Sequence, residues 1–303
     1  MSQSASAAQV AQVESNPFEQ SYTPRSPMQM MVSRFKKNKR AMVGLWMVTI
    51  FVIVALLARW IAPYDPFVQN MEIMLESPTW SHPFGTDEFG RDIFSRVIYG
   101  AQISLMIGIV GVLISVILGV ALGTISGYFG GYIDSLIMRI MDIFMAFPSF
   151  LLALAIVSVL GPSMINVMIA IGIFSVPTFS RISRSAVISV KNKEYIEAAK
   201  AMGATNALII FKHVVPNSIA PIIVLSTLRI ATAILTASGL SFLGMGAQPP
   251  TPEWGAMLST GREYLRTAPH VSTIPGLAIM FMVLAFNMLG DGLRDALDPK
   301  MKL

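Results

Sequence analysis

The chain has 303 residues, 54% of them hydrophobic and only 13% charged, with a net charge of +5. That balance is too apolar for an ordinary soluble domain, and the long apolar runs overrule the two soluble domains that length alone suggests. Cysteine is absent, which excludes disulfides, thiolate metal sites and cysteine nucleophiles, and His82, His213 and His270 have no metal-ligand spacing.

Residues 1–33, rich in Ser, Ala, Gln and Pro up to about residue 27, are expected to form a disordered cytoplasmic tail. They contain no apolar core with a cleavage site, so no signal peptide is expected. Arg34–Arg40, RFKKNKR, is a basic cluster suited to anionic headgroups beside a first spanning helix over Ala41–Ile61. That run is long enough, at ~1.5 Å per residue, for a hydrocarbon core of ~30 Å. Arg59 and Trp60 close it and can snorkel to the interface. Residues 34–303 are expected to be one transmembrane domain.

Phe89, Ile93 and Val97 share a face of the polar stretch that follows, which predicts an amphipathic helix lying on the membrane. A second span over Ala101–Ser126 carries Gly111, Ser115, Gly119 and Gly123, with Gly127 next in register. Such a stripe lets another helix backbone come close. The third span, Asp134–Leu160, has Arg139 and Asp142 at pairing distance along one face and a kink at Pro148. Gly161–Pro162 is a turn. The fourth span, Met164–Ser183, holds Pro177 and ends in Arg181 and Arg184.

Lys191–Asn217 is the longest polar interruption in the C-terminal two-thirds of the chain. Its pattern predicts two short helices. Asn192 caps the first, Glu194 and Glu197 sit in its opening turns, and Gly203 ends it. Tyr195, Ala198, Ala199 and Met202 form its small apolar face. Thr205 caps the second helix, which runs towards Pro216. Paired alanines beside Glu197 allow a partner surface to approach the backbone; the spacing equally suits a solvated loop helix that binds nothing.

The fifth span, Ser218–Leu243, carries Arg229 near its middle, where a charge faces a cavity or a partner. Arg229 is a candidate for the translocation pathway, drawing in a substrate carboxylate; a structural pairing with an acid on a neighbouring helix is the other reading. A proline-rich external loop, Ser241–Gly255, precedes the last span, Thr273–Leu289. Arg294 is placed to pair with Asp291 and Asp298.

Glu197-Ala198-Ala199, three residues, Gly203 and a run to Pro216 resemble the EAA loop of bacterial ABC-importer permeases. His213 and Val215 stand where that family usually has an aliphatic pair. Together with Phe211-x-His213-x-x-Pro216-Asn217, Gly85-Thr-Asp-x-x-Gly-Arg-Asp92, the Ser241–Gly255 loop and the tail Gly290–Leu303, they resemble the C-type permeases of the dipeptide, oligopeptide and nickel branch, including glutathione importers. The resemblance implies an all-α, six-helix type I importer fold. It implies an ATPase-coupling role for Glu197, Ala198, Ala199, Gly203 and Pro216. It also implies a second permease, two cytoplasmic ATPases and an extracytoplasmic binding protein as partners, with short peptides as substrate and nickel or another small solute as the alternative. No nucleic-acid partner is implied.

Lys and Arg sort by side: six in residues 1–40, six in 181–212 and three in 294–302 against Arg59, Arg91, Arg96, Arg262 and Arg266. The bias places both termini and the 191–217 loop in the cytoplasm of an inner-membrane protein. The chain has no phosphate-binding Gly-Lys pair and no nucleophile elbow. No cofactor, metal or enzymatic activity of its own is expected, and ATP hydrolysis falls to partner subunits. A self-sufficient secondary transporter is disfavoured, because paired intramembrane acids and inverted repeats are not visible.

Overall fold

The computed structural model describes residues 27–297. Residues 1–26 and 298–303 lie outside the described residues, and with them most of the expected tail and the Arg294–Asp298 pairing. Residues 27–33 belong to a helix, α1 (Pro27–Lys37), so helix starts inside the segment expected to be tail. The remaining α-helices among the described residues are α2 (Lys39–Leu56), α3 (Ala58–Ile61), α4 (Ile93–Phe129), α5 (Gly131–Met145), α6 (Ser149–Leu160), α7 (Met164–Lys191), α8 (Glu194–Ala201), α9 (Asn206–Ile209), α10 (Val215–Phe242), α11 (Trp254–Gly261) and α12 (His270–Leu297). Among the described residues, five helices are long and apolar enough to cross a membrane, and the spans number six if α5 and α6 count as one broken span.

The break between α5 and α6 is sharper than a kink. Their axes differ by 88°, because Pro148 cannot donate to the preceding turn and its ring collides with it. Pro177, by contrast, sits inside an uninterrupted α7. The first span also ends earlier than expected: the chain breaks at Leu57, and Ala58–Ile61 forms a separate turn carrying Arg59 and an exposed Trp60.

The glycine stripe of α4 does what its spacing requires. A Cβ on Gly119 would sit 2.9 Å from the Val176 carbonyl oxygen, one on Gly123 2.3 Å from that of Ser180, and one on Gly127 2.8 Å from that of Arg184. The Ser115 hydroxyl donates to the Gly172 carbonyl oxygen at 2.9 Å. The backbones of α4 and α7 therefore touch along their length, the arrangement that small residues make available inside a membrane. A second close crossing, invisible as a stripe, joins α2 to α12: a Cβ on Gly44 would meet the Leu289 backbone nitrogen at 2.6 Å.

The predicted surface helix at Phe89–Val97 is not formed. Residues 85–92 are a tight turn, and Ile93 opens the 37-residue α4, with Asp92 accepting from the Ser95 backbone N–H at its start. Its apolar face is the buried first turn of a spanning helix, and Phe89 lies outside it. A buried ion knot fixes this end. Arg91 donates to Asp87 at 2.6 Å and to Glu88 at 3.1 Å, while Arg96 donates to the Pro66 carbonyl oxygen at 2.8 Å. Burial pushes the Glu88 carboxyl above the ordinary glutamate range. The Ser241–Gly255 loop seats on the same end through fully buried Trp254, whose indole donates to the Val97 carbonyl oxygen at 3.0 Å.

Candidate coupling surface and the polar file beside it

Two positions, Gly203 and Thr205, shape the 191–217 loop. Asn192 does not cap α8; it ends α7, and Lys193 takes the N-cap position without a side-chain bond. Gly203 adopts φ +83°. The Ala204 N–H then reaches the Ala199 carbonyl oxygen at 3.1 Å and the Gly203 N–H that of Lys200 at 2.9 Å, the paired bonds of a left-handed glycine cap. Thr205 accepts from the Leu208 N–H at 3.4 Å, as expected of a cap.

The expected second helix is not an independent element. α9 runs into a widened π turn, Ile210–Val214, and from there directly into α10, so the loop and the fifth span are one 37-residue helical rod. Pro216 has no N–H to close an ordinary turn behind it. The Asn217 amide supports the opened turn by donating to the His213 carbonyl oxygen at 2.6 Å.

The face of α8 that packs inward differs from the expected one. Ile196 and Ala199 are buried with Tyr128, Val187, Val190, Ile209 and Val214. Tyr195, Ala198 and Met202 are exposed with Glu197, Met202 at 82%. Burying one isoleucine contributes about 1.5–3 kcal/mol, enough to hold α8 at one rotation about its axis. Tyr128 at the end of α4 pins this base. Its hydroxyl donates to the Asn206 side-chain oxygen at 2.8 Å, and Lys191 and Lys200 lie 5.8 and 5.9 Å from its ring centre. Of the predicted coupling residues, Glu197, Ala198, Gly203 and Pro216 are exposed and Ala199 is in the base.

Beside this platform, α7 carries polar contacts at Thr178, Arg181 and Arg184, one turn apart. Arg184 grips Asp134 of α5 with bonds of 2.6 and 2.5 Å, and Ser126 donates to the same carboxylate. Arg181 pairs with Asp142. The expected Arg139–Asp142 pair is thus replaced by a bond between helices. The Asp142 side chain is 58% exposed. Arg229 of α10 donates to the Thr178 hydroxyl at 3.1 Å, and among the described residues no acid is paired with it. Arg294 has no ion pair with Asp291 among the described residues; instead Asn38 donates to Asp295 at 3.1 Å, tying the start of α2 to the end of α12. A cavity of about 610 Å³ opens between α7, α10 and α12, lined by Ile182, Pro221, Leu225, Leu228 and Arg294 among others.

Sequence spacing missed the interhelical pairs, because residues 134, 142, 181 and 184 meet only once α5 folds back on α7. The one available signal was that Asp134 had no base at pairing distance on its own span and that Arg181 and Arg184 had no acid on theirs.

Comparison with known proteins places this geometry. Residues 119–303 match the family described as binding-protein-dependent transport system inner membrane component, and residues 26–78 match the N-terminal TM domain of oligopeptide transport permease C. The chain is 51% identical over 288 residues to the dipeptide transport system permease protein DppC of Alkalihalophilus pseudofirmus, covering 95% of each chain. It is also 51% identical over 281 residues to the glutathione transport system permease protein GsiD of Shigella flexneri, covering 92% of each. An inward-facing structure of the MetNI methionine ABC transporter shares the fold, with TM-score 0.54 and 18% identity over 68% of this chain and 98% of that one. The chain belongs to the binding-protein-dependent transport system inner membrane components, as a multi-pass permease of the ABC transporters.

Proposed function

We propose that this permease is one membrane half of an ATP-driven importer of short peptides, dipeptides or glutathione among them. The observation that carries the reading is the outward face of α8: Tyr195, Glu197, Ala198 and Met202 stand exposed on a helix whose other side is locked into the ends of α4, α7 and α9. A displacement of such a face by a partner passes into the spans, because α9 continues into α10 without a flexible link. The partner is a cytoplasmic ATPase pair, joined by a second permease and an external binding protein. Glu197, Ala198 and Gly203 make the contact, Ala199 sets its rotation, and Pro216 opens the turn that passes the movement on.

The start of α2, the end of α12 and the 191–217 loop fall on one side, and the excess of Lys and Arg there supports a cytoplasmic assignment. The chain performs no hydrolysis of its own in this scheme. Arg229 lines the path and receives a substrate carboxylate; its lack of an acid partner among the described residues favours this over a structural ion pair.

The test is ATPase activity of the assembled complex in lipid, with and without binding protein and a dipeptide. Glu197→Arg with Gly203→Asp is expected to abolish the peptide-stimulated fraction while the complex stays intact. Unchanged stimulation would remove α8 from the coupling path.

A further inference from the structure

We infer that the groove between α7, α10 and α12 is a binding site for a membrane phospholipid with an ethanolamine headgroup. One acyl chain lies against α10, and the headgroup sits among Arg294, Arg40 and Asp291. The inference goes beyond peptide import and does not depend on it.

Two cavities share Arg294. The larger, of about 610 Å³, is walled by Ile182 of α7 and by Pro221, Val224, Leu225 and Leu228 of α10, and Arg294 is the one charged residue in its lining among the described residues. The smaller, of about 430 Å³, is polar and is lined by Asn38, Arg40, Asp291, Arg294 and Asp295. An apolar slot that ends at a cation, with a charged chamber on the other side of that cation, has the two-part chemistry of an amphiphile. Depth agrees with this. Ala220 to Leu228 covers ~12 Å of α10 at ~1.5 Å rise per residue, close to one leaflet's half of a ~30 Å hydrocarbon core. Arg294 is exposed in the last turn of α12, where a long cationic side chain reaches the headgroup level.

The charges of the polar chamber select the headgroup. Arg40 and Arg294 stand against Asp291 and Asp295, so the lining is neutral as a whole. Asp295 already accepts from the Asn38 amide at 3.1 Å, whereas Arg294 and Asp291 have no hydrogen bond or ion pair among the described residues. A purely anionic headgroup would satisfy Arg294 and be repelled by Asp291. An ethanolamine headgroup answers both: its phosphate accepts from the guanidinium, and its ammonium, two carbons away, donates to Asp291 one helical turn back. A choline headgroup has no N–H for that carboxylate. A partner protein's helix laid in the groove would have to bury four charges, which is costly without a counter-charge for each.

The test places the assembled complex in phosphatidylcholine nanodiscs with a trace of phosphatidylethanolamine that carries a diazirine in one acyl chain. After illumination, labelled residues are mapped by mass spectrometry. Labelling is expected on α10 between Ala220 and Leu228. Replacing part of the bulk lipid with unlabelled phosphatidylethanolamine is expected to lower it about threefold, the fold-change of an exposed ion pair. The same share of phosphatidylglycerol is expected to leave it unchanged. Arg294→Gln and Asp291→Asn, each in a complex that still assembles, are expected to remove the preference for ethanolamine. Leu225→Trp is expected to fill the slot and suppress labelling with the charges intact. Phosphatidylglycerol competing as well as phosphatidylethanolamine, or no competition by either, would overturn the headgroup site. An assembled complex unlabelled on α10 would mean that protein covers the groove, and would also overturn it. So would displacement of the probe by a dipeptide, which would make the groove part of the substrate path.

Discussion

The hydroxyl of Tyr128 donates to the side-chain oxygen of Asn206 across 2.8 Å. The two residues close a bond between the end of α4 and the start of α9, at the point where the platform under α8 meets the membrane-spanning helices. Tyr128→Phe removes only that bond and is expected to lower stability by about 1 kcal/mol. Tyr128→Ala also removes the buried ring and the contacts of Lys191 and Lys200, an expected loss of about 3–5 kcal/mol. Thermal unfolding of the purified complex measures both. If Tyr128 transmits movement, the Phe variant also loses part of its substrate-stimulated ATPase activity.

The α4–α7 contact gives a sharper steric prediction. A methyl group on Gly123 would lie 2.3 Å from the Ser180 carbonyl oxygen, a backbone atom that cannot rotate away. Gly123→Ala is therefore expected to destabilise the chain by about 1–3 kcal/mol, the usual cost of overpacking. Gly130→Ala serves as a contrast, since nothing lies within 4 Å of its added methyl and only its φ of +69° opposes the change. The melting temperatures of the two variants separate crowding from backbone strain.

In the ion knot before α4, Arg91 is the shared partner of Asp87 and Glu88. Arg91→Ala leaves two buried carboxylates with Arg96 alone to offset them, and such a broken buried pair costs about 3–5 kcal/mol. The expected outcome is a marked fall in assembled complex at the membrane. Arg91→Ala with Asp87→Asn and Glu88→Gln is expected to recover much of it, because the orphaned charges go too.

Glu253 provides a pH prediction. It is 1% exposed and caps α11 by accepting from the Ala256 N–H at 2.8 Å, while its Oε1 has no hydrogen-bond partner among the described residues. Burial raises its carboxyl above the ordinary glutamate value of 4.5. The folded state therefore holds a proton that the unfolded chain releases. Its favourable contribution is complete below 4.5 and is lost as pH rises through the folded value. Glu253→Gln keeps the accepting oxygen and removes the charge. It is expected to be more stable than the native chain at pH 8 by about 1–3 kcal/mol, the cost of a buried unpaired acceptor. That advantage is expected to shrink towards pH 5 in melting curves.

How much of this was legible beforehand depends on the range of the interaction involved. The spans, the stripe Gly111–Gly127, the left-handed Gly203 and the Thr205 cap are properties of consecutive residues, and the sequence by itself determined them. The break at Pro148 belongs here too, although its angle does not. The false surface helix at Phe89–Val97 arose because an interfacial helix and the buried first turn of a span share one periodicity. Only the packing of Trp254 and the Asp87–Arg91 knot distinguishes them. Tertiary structure alone decided which face of α8 turns outward, since Ile196 rather than Tyr195 finds a pocket between Val187 and Val214. It also decided that Asp142 meets Arg181 rather than Arg139. Side chains on one helix can meet at three or four residues' spacing, but pairing between helices depends on where each backbone stands and how it is rotated, and close contact of α4 with α7 fixes both.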